Sequence, residues 1–403
     1  MQGASPSVSS AEAGRGPAII LRGQMERKKL VILGATGSIG SQTLDVAREF
    51  PDRYEVVGLS ANRDLQGLLR AAAPFPGARL ALASAPPAEA SSPRRAPAIG
   101  PEAILDLVTE TRADMVVNGI AGSAGLAPSI AALENGKDLA LANKESVVMG
   151  YCLLEAASRR SGAAILPVDS EHAALFQLLR HIPEADRLVI TASGGAFRDR
   201  PLAELGKVGP DEAAAHPSWK MGRKISIDSA TMANKGLEVI EASRLFHVEP
   251  GKIEVLIHPQ SVVHALVRSP DGSFYANLAA PDMRLPILAA LSYPEALASP
   301  FGRLDFAGLS LDFRRPEAAR YPMLDIAYGA LRSGYGATIA YNAADEVAVA
   351  AFERGEIGYL GIPGLVESCL ARSWPASVGN LEDVMEIDRE ARASCHSLVK
   401  EHT

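Results

Sequence analysis

Two acidic residues, Asp169 and Glu171, follow a short apolar run, AAILPV at positions 163–168. Acids two positions apart on an extended segment point to the same side, and at the carboxyl end of a parallel strand they face the ligand crevice. Because Mg²⁺ and Mn²⁺ prefer oxygen ligands, the pair favours a divalent-metal site. The alternative is an ordinary helix start, with Asp169 or Ser170 as the N-cap and Glu171 in the first turn.

A third acid and several phosphate-binding residue types occur in the segment KISIDSATMANKGLEVIE, positions 224–241. Its Ser229, Asn234 and Lys235 provide a hydroxyl, an amide and an ammonium, which together suit a phosphate group. Glu238 follows in the same predicted helix or turn and could complete the metal site. Glu241 is equally consistent with a charged helix surface.

Two further segments carry groups that fit a phosphorylated substrate. Ser193 and two glycines end the apolar run LVITA at 188–192, and such a turn can present hydroxyl and backbone donors to phosphate. The loop AHPSWKMGR at 215–223 combines His216 and Trp219 with two cations. A Trp in a loop with Gly and Pro suits a lid that excludes water, and a buried core Trp is the alternative.

The string GATGSIG at 34–40 lies between a strand-like run, LVILG at 30–34, and a helical pattern at 38–50. Glycines there let the backbone approach a dinucleotide pyrophosphate, which then sits on the helix N-terminus. A glycine-rich turn is a weak signal by itself. Its position inside a strand–helix–strand unit is what favours a dinucleotide cofactor.

The end of the second predicted strand, YEVVGLS at 54–60, indicates which dinucleotide binds. An acid there would bond the ribose 2′-hydroxyl of NAD, whereas Arg accommodates the 2′-phosphate of NADPH. The strand runs into Ala61, Asn62 and Arg63, which favours NADPH. Asp64 is an awkward neighbour, and we interpret it as a solvated loop carboxylate.

Composition limits the class of protein. The 403 residues are 47% hydrophobic and 22% charged, which is typical of a globular chain of two or three domains. The net charge of −7 argues against a nucleic-acid or membrane-surface partner. Three cysteines without a C-x-x-C pair indicate a reducing cytoplasm. Positions 1–24 lack the apolar stretch of a signal peptide, so we expect a disordered leader.

Strand-like and helix-like segments alternate over the first half of the chain, which predicts an α/β fold with a parallel sheet covered on both faces. The sequence at 83–100 is rich in Pro, Ala and Ser and predicts a loop. Beyond position 320 the patterns are helical. The predicted divisions are a leader at 1–27, a Rossmann-like NADPH-binding domain at 28–168, a catalytic domain with the lid at 169–292, a connecting segment at 293–320 and a C-terminal helical domain at 321–403.

In their order along the chain, these strings resemble the 1-deoxy-D-xylulose 5-phosphate reductoisomerases. The resemblance rests on GATGSIG (34–40), LANKES (141–146), LPVDSEH (166–172), HPSWKMGRKISIDSATMANKGLE (216–238) and HPQSVVH (258–264). Several long and chemically unusual strings are far more specific than one glycine motif. The chain departs from the family at 62–64, where Asn-Arg-Asp stands in place of a typical Gly-Lys-Asn.

The resemblance implies a set of site residues. Asp169, Glu171 and Glu238 would ligate Mg²⁺ or Mn²⁺, and with Lys144 they would be the catalytic residues. The residues expected to contact substrate are Lys144, Ser170, Glu171, Ser193, His216, Trp219, Met221, Ser229, Asn234, Lys235 and Glu238, with Trp219 and Met221 on the mobile lid. The residues expected to contact NADPH are Thr36, Gly37, Ser38, Ile39, Ala61, Asn62, Arg63, Asn143, Glu145 and Gly222.

The resemblance also implies a reaction and an assembly. The sugar phosphate 1-deoxy-D-xylulose 5-phosphate would be rearranged, by a retroaldol–aldol route or an α-ketol shift, and reduced by NADPH to 2-C-methyl-D-erythritol 4-phosphate for isoprenoid precursor synthesis. Family members are typically homodimers.

Two other functions are compatible with parts of the pattern. A semialdehyde-type NADP dehydrogenase would need a nucleophilic cysteine, and Cys152 lies in an apolar, helix-like context instead. An NADP-sensing regulator would need neither three converging acids nor a lid. His258 and His264 are expected to make structural hydrogen bonds rather than to bind metal.

Overall fold

A computed structural model describes residues 26–85, 96–219 and 222–402 of the protein. Three of the predictions lie wholly or partly outside these ranges. They concern the leader up to residue 25, the middle of the 83–100 loop and the lid residue Met221.

The first sheet has seven parallel strands that alternate with helices along the chain. The strands are β1 (Lys28–Leu33), β2 (Tyr54–Ala61), β3 (Arg79–Leu82), β4 (Ala98–Ile99), β5 (Met115–Asn118), β6 (Asp138–Leu141) and β7 (Ile165–Pro167). The helices are α1 (Ser38–Glu49), α2 (Leu65–Ala72), α3 (Pro101–Glu110), α4 (Leu126–Glu134) and α5 (Lys144–Ser161). The spatial order β4-β3-β2-β1-β5-β6-β7 reverses between β1 and β5, where sheets of this kind bind ligands.

The sequence does not predict the two strands at one edge of this sheet. β3 has four residues, and β4 is a two-residue strand whose side chains are both exposed. β4 lies inside the segment 83–100, which is predicted as a loop, and it pairs with β3. The loop prediction is therefore wrong at 98–99. Two residues are too few for hydrophobic alternation to appear, and pairing alone makes them a strand.

A second sheet has four strands and follows the first along the chain. Its strands are β8 (Arg187–Ala192), β9 (Ile253–Ile257), β10 (Val263–Arg268) and β11 (Phe274–Leu278). The order is β11-β10-β8-β9, with β8 and β9 parallel and the other pairs antiparallel. The associated helices are α6 (Ser170–Leu179), α7 (Pro210–Ala213), α8 (Arg223–Thr231), α9 (Ala233–Leu245) and α10 (Arg284–Ser292).

Met232 connects α8 to α9 as a single residue. Its φ of 64° and ψ of 13° lie in the left-handed region, which few residues other than Gly adopt. The side chain is 1% exposed, so the surrounding core holds this conformation. The turn brings Ser229 at the end of α8 and Asn234 at the start of α9 to the same cavity.

The C-terminal part is helical and packs against the catalytic helices. Its helices are α11 (Pro322–Ser333), α12 (Tyr335–Glu353), α13 (Gly361–Leu370) and α14 (Leu381–His402). The described segment 293–320, which precedes them, has no helix or strand and only one bridge, from Arg314 to Ile257. One buried core joins α8, α9 and α12. Within the described ranges, every helix is too short or too polar to cross a membrane.

Candidate active site

A cavity of about 660 Å³ lies where the carboxyl ends of the first sheet face β8, α8 and α9. Fourteen of the predicted site residues line it: Ser38, Ile39, Lys144, Asp169, Ser170, Glu171, Ser193, His216, Trp219, Gly222, Ser229, Asn234, Lys235 and Glu238. Seven others lie along the same edge of the first sheet without lining the cavity: Thr36, Gly37, Ala61, Asn62, Arg63, Asn143 and Glu145.

Three carboxylates meet in this cavity. Asp169 and Glu171 stand where β7 passes into α6, and Glu238 extends from the second turn of α9. One oxygen from each lies within 4.8 Å of the other two. Glu238 is 1% exposed, so these acids do not form a solvated surface cluster. Hard oxygen donors in this arrangement fit Mg²⁺ or Mn²⁺.

Two lysines separate the carboxylates. The ammonium of Lys144 lies 2.8 Å from Asp169 Oδ2 and 3.3 Å from Glu238 Oε1, and it donates to Asn234 Oδ1 at 2.7 Å. The ammonium of Lys235 lies 2.5 Å from Glu171 Oε1 and also contacts Glu238. The site therefore holds donors and acceptors for several oxygens of a polyhydroxylated, phosphorylated ligand.

Burial and neighbouring charges move the pKa values of these groups apart. Burial and the Glu171 carboxylate raise the pKa of Glu238 to about 7. Burial opposes ionisation of Asp169, but the Lys144 ammonium holds its pKa below the usual range. Both ammoniums have raised pKa values because the attraction of the carboxylates exceeds the effect of burial. Lys144 and Lys235 therefore stay charged at neutral pH.

A buried pair, His172 and Glu241, lies behind the carboxylates. His172 Nε2 lies 2.9 Å from the carbonyl oxygen of Glu238, and Nδ1 lies 3.5 Å from Glu241 Oε2. Burial, followed by the Asp169 charge, raises the pKa of Glu241 well above its usual range. The surface interpretation of Glu241 is wrong, because its side chain is 1% exposed and lies beside Asp169 and His172.

Ser193 and His216 form an oriented hydrogen bond in the wall of the same cavity. Ser193 Oγ lies 2.8 Å from His216 Nε2. His216 Nδ1 accepts from the amides of Ser218 and Trp219 at 3.2 and 2.8 Å, so Nε2 carries the hydrogen and donates to Ser193. Burial and the nearby Arg198 cation lower the pKa of His216 to about 4, which makes the ring neutral. The Ser193 hydroxyl can then donate to a ligand.

Trp219 lies at the cavity wall. It is half-buried, and its ring centroid is 6.3 Å from that of His264. The residue is therefore neither in the core nor fully in solvent, and it can cover a bound ligand. Lys220 and Met221, which follow it, lie outside the described residues.

The glycine motif forms the turn from β1 into α1. Gly34 has a φ of 76°, and Gly40 packs directly on the turn. The turn is fixed to β2 by a 2.7 Å hydrogen bond from the Ala35 amide to the Ser60 carbonyl. It leaves the N-terminus of α1, with Ser38 and Ile39, open toward the cavity.

Gly40→Ala is expected to abolish tight NADPH binding and to lower the melting temperature. A Cβ at Gly40 would lie 2.3 Å from the Gly34 carbonyl oxygen, which is backbone and cannot move without opening the turn. Gly364, which is exposed in α13 with open space around it, is the matched control, and Gly364→Ala should stabilise by up to about 1 kcal/mol. NADPH titration by fluorescence and thermal unfolding test both variants. Unchanged NADPH affinity in Gly40→Ala would contradict the assigned role of the turn.

The residues after β2 are arranged for a helix start as well as for a cofactor. Asn62 and Arg63 are exposed, as a group that binds a 2′-phosphate must be. Asp64 is the N-cap of α2 and accepts from the Gly67 amide at 2.7 Å. Asp64 is exposed and lies outside the helix, as expected of a solvated loop carboxylate, and the structure adds that it caps the N-terminus of α2.

Asn143 and Glu145 hold the loop that follows β5. Asn143 Nδ2 donates to the carbonyls of Ile120 and Gly122 at 2.8 and 3.0 Å, and Glu145 accepts from the Gly122 amide at 3.2 Å. This loop lies beside the strand-order reversal, so both side chains shape the edge at which the cofactor is expected.

Fifteen residues of the cavity wall were not predicted as site residues, and His264, Asp282 and Arg284 are among them. His264, which was expected to make structural hydrogen bonds rather than to bind metal, lines the cavity. Asp282 and Arg284 also line it and form a salt bridge at 2.6 Å. The string PDMR at 281–284 has no spacing that indicates a site. His258, by contrast, is buried, contacts the Asp312 carbonyl at 2.9 Å and stacks on Phe313, as expected for a structural histidine.

Comparisons with known proteins identify the family. Family models match residues 30–150 (1-deoxy-D-xylulose 5-phosphate reductoisomerase), 165–246 (its C-terminal domain) and 278–394 (DXP reductoisomerase C-terminal domain). A 1-deoxy-D-xylulose 5-phosphate reductoisomerase from Methylococcus capsulatus is 45% identical over 381 residues, which cover 91% of this chain and 97% of the relative. The chain belongs to the 1-deoxy-D-xylulose 5-phosphate reductoisomerase family.

Solved reductoisomerases share the fold. The enzyme from Zymomonas mobilis in complex with NADPH is 42% identical, with a TM-score of 0.84 and coverage of 93% of this chain and 99% of that one. A DOX-P reductoisomerase in complex with NADPH, fosmidomycin and magnesium is 38% identical, with a TM-score of 0.85 and coverage of 93% and 98%. The predicted family, α/β fold class and enzyme class are confirmed.

Proposed function

We propose that Asp169, Glu171 and Glu238 hold the divalent metal with which this reductoisomerase converts 1-deoxy-D-xylulose 5-phosphate to 2-C-methyl-D-erythritol 4-phosphate, with NADPH as the reductant. The observation that carries the proposal is that three carboxylates, two ammoniums and the Ser193 turn share one cavity. Solved relatives contain NADPH and magnesium, which supports both predicted cofactors.

The carboxylates and Lys144 surround the reacting end of the substrate. A divalent cation on these carboxylates supplies Lewis-acid polarisation of the ketone and the neighbouring hydroxyl. Lys144, held between Asp169 and Asn234, donates to a substrate oxygen and stabilises negative charge there. Ser170 adjoins these groups and contacts Glu171.

The phosphate end of the substrate binds to the second sheet and the helix turn. Ser193, Ser229, Asn234 and Lys235 donate to phosphate oxygens, and neutral His216 orients Ser193. Because this end is remote from the reacting carbons, its binding energy stabilises the closed lid. Trp219 covers the substrate in that state.

NADPH binds along the carboxyl edge of the first sheet. Thr36, Gly37, Ser38 and Ile39 hold its phosphates at the N-terminus of α1. Ala61, Asn62 and Arg63 receive the adenosine end, where Arg63 supplies positive charge for the 2′-phosphate. Asn143, Glu145 and Gly222 complete the set. Ser38 and Ile39 also line the cavity, so NADPH held by these residues would supply the hydride for the reduction there.

Removal of divalent metal is expected to abolish the reaction. Oxidation of NADPH in the presence of 1-deoxy-D-xylulose 5-phosphate should stop in EDTA and return with excess Mg²⁺ or Mn²⁺, because the carboxylates alone cannot polarise the ketone. NADPH absorbance measures the reaction, and NADPH fluorescence measures cofactor binding. Oxidation that is unaffected by EDTA would contradict the metal role. NADPH binding without any turnover in Mg²⁺ would instead support a sensor.

The predicted homodimer is part of the proposal. β11 ends the second sheet and, within the described residues, pairs only with β10. It exposes Phe274 and Tyr275, and Phe306 is 63% exposed in the connecting segment. An apolar edge strand is a ready surface for a second copy of the chain. Light scattering of the wild-type protein should give the mass of a dimer, and Phe274→Glu should shift the mass toward that of a monomer. A wild-type protein with the mass of a monomer would contradict the proposal.

The cysteines support the predicted cytoplasmic location. Cys152, Cys369 and Cys395 are free thiols. Burial raises the pKa of Cys369 to about 11 and that of Cys395 to about 12, so both stay protonated and unreactive. A chain with buried free thiols suits a reducing compartment.

A further inference from the structure

Helix α5, which begins at Lys144, is kinked within its length. Gly150 has φ of −145° and ψ of 31°, which are not helical angles. In a straight helix the amide of Cys152 would donate to the carbonyl of Val148. Here it donates to the hydroxyl of Tyr335 at 2.9 Å. The kink therefore leaves backbone groups of α5 that need other partners.

Arg244 from α9 supplies those partners. Its Nη1 donates to the Val147 carbonyl at 2.9 Å and also contacts the Val148 carbonyl. Its Nη2 donates to Thr338 Oγ1 at 2.6 Å, and this hydroxyl donates to the Val148 carbonyl at 3.0 Å. One guanidinium thus joins α5 and α9 to α12.

The guanidinium is enclosed on its other face. Its central carbon lies 3.8 Å from the centroid of the Tyr335 ring, a cation–π distance. Arg244 is 8% exposed, and burial lowers its pKa to about 10, so the group is a cation at neutral pH. No carboxylate is paired with Arg244 among the described residues, so its fixed partners are carbonyls, a hydroxyl and a ring.

The clamped segment is next to a site residue. Val147 and Val148 follow Lys144 within one turn of α5, while Arg244 is on the same helix as Asn234 and Glu238. The Lys144 ammonium reaches across to those two side chains. Any slide or rotation of α5 against α9 would therefore change the Lys144 contacts.

We propose that Arg244, with Thr338 and Tyr335, is a positioning residue that keeps Lys144 in register with Asn234 and Glu238. The inference rests on the proposed role of Lys144 in the reaction. Arg244 does not line the cavity and acts only through the position of α5.

Arg244→Met tests the inference, because it keeps much of the aliphatic stem and removes every donor. We expect kcat/KM for the sugar phosphate to fall by about 100-fold, as a misplacement on the order of 1 Å can cause. Thr338→Val, which removes one hydroxyl, should give a smaller loss in the same direction. Arg244→Lys should not restore the activity, because one ammonium cannot reproduce the guanidinium geometry.

A double-mutant cycle with Lys144→Met separates positioning from general destabilisation. If Arg244 acts through Lys144, adding Arg244→Met to Lys144→Met should lower kcat/KM by no more than about threefold. The matched control is Lys137→Met. Lys137 is another buried cation, and it donates to the carbonyls of Val108, Thr109 and Thr111 far from the site. That change should lower the melting temperature and leave kcat/KM unchanged.

Two results would overturn the inference. The first is a wild-type kcat/KM in Arg244→Met, with a lower melting temperature as the only change. The second is a kcat/KM in the Lys144→Met/Arg244→Met double variant that has fallen by the product of the two single losses. If Arg244→Met does not fold, Thr338→Val is measured instead, alone and combined with Lys144→Met. The same two results in that variant would overturn the inference. Wild-type kcat/KM in Lys144→Met would overturn the assigned role of Lys144 as well, whereas an impaired Lys144→Met with an additive cycle would overturn only the positioning role of Arg244.

Discussion

Glu238→Gln is expected to lower kcat/KM by about 10³-fold or more. The side chain is 1% exposed and provides one of three carboxylates whose oxygens lie within 4.8 Å of one another. An amide of the same shape removes the ligand charge and keeps the packing. It also leaves Lys144 and Lys235 with one carboxylate fewer. Steady-state kinetics over a Mg²⁺ titration, together with Mn²⁺ binding by electron paramagnetic resonance, measures both effects.

Glu386 provides the matched control for this change. It is exposed on α14, and the same Glu-to-Gln substitution there should leave Mn²⁺ affinity and kcat/KM at wild-type values. Wild-type Mn²⁺ affinity in Glu238→Gln would exclude Glu238 as a metal ligand. Lost affinity with the fold retained would assign the defect to the site.

Lys235→Met is expected to lower kcat/KM by about 10²- to 10³-fold and to cost about 3 kcal/mol of unfolding free energy. Its ammonium lies 2.5 Å from Glu171 and contacts Glu238, so an apolar replacement leaves the buried Glu238 and the partly buried Glu171 without their shared cation. Burial opposes ionisation of Glu171, and it is the Lys235 charge that brings the Glu171 pKa below its usual range. Denaturant unfolding and steady-state kinetics measure the two effects.

Two further variants serve as controls for this experiment, Lys235→Arg and Lys207→Met. Arg keeps the charge and should restore most of the stability, but its planar fork does not match the position of a single ammonium between two carboxylates, so kcat/KM should remain low. Lys207 is exposed, and its replacement should change neither quantity. Full activity in Lys235→Met would remove Lys235 from the site.

The first sheet was largely predictable because its central strands are continuous apolar runs. β1, β2, β5 and β6 are buried along most of their length, as strands of a parallel sheet must be. β11 is half exposed and lies at an edge, so its sequence carries no comparable signal. The edge strands form because their backbones hydrogen-bond to a neighbouring strand. The amino-acid sequence of the edge strand itself does not show that this neighbour is present.

The site likewise contains residues that the sequence could predict and residues that it could not. The position of Asp169 and Glu171 after a strand correctly placed them at the site, but the extended geometry predicted for them is wrong, because α6 begins at Ser170 and Glu171 lies in its first turn. The density of polar residues before Glu238 pointed to the third acid. The burial of Glu241 could not be predicted, because it depends on which face of α9 meets His172. Arg244 was also missed, since its partners Tyr335 and Thr338 stand on a helix remote in sequence.

The left-handed backbone conformation of Met232, between α8 and α9, limits which substitutions this position can accept. A β-branched residue is poorly accepted at a φ of 64°. Gly would relax the backbone but empty the buried volume that the Met side chain fills. Few single substitutions satisfy both demands, so position 232 should change only together with a compensating residue in the surrounding core. The left-handed backbone and the filled core volume together would then make this methionine persist among diverging sequences.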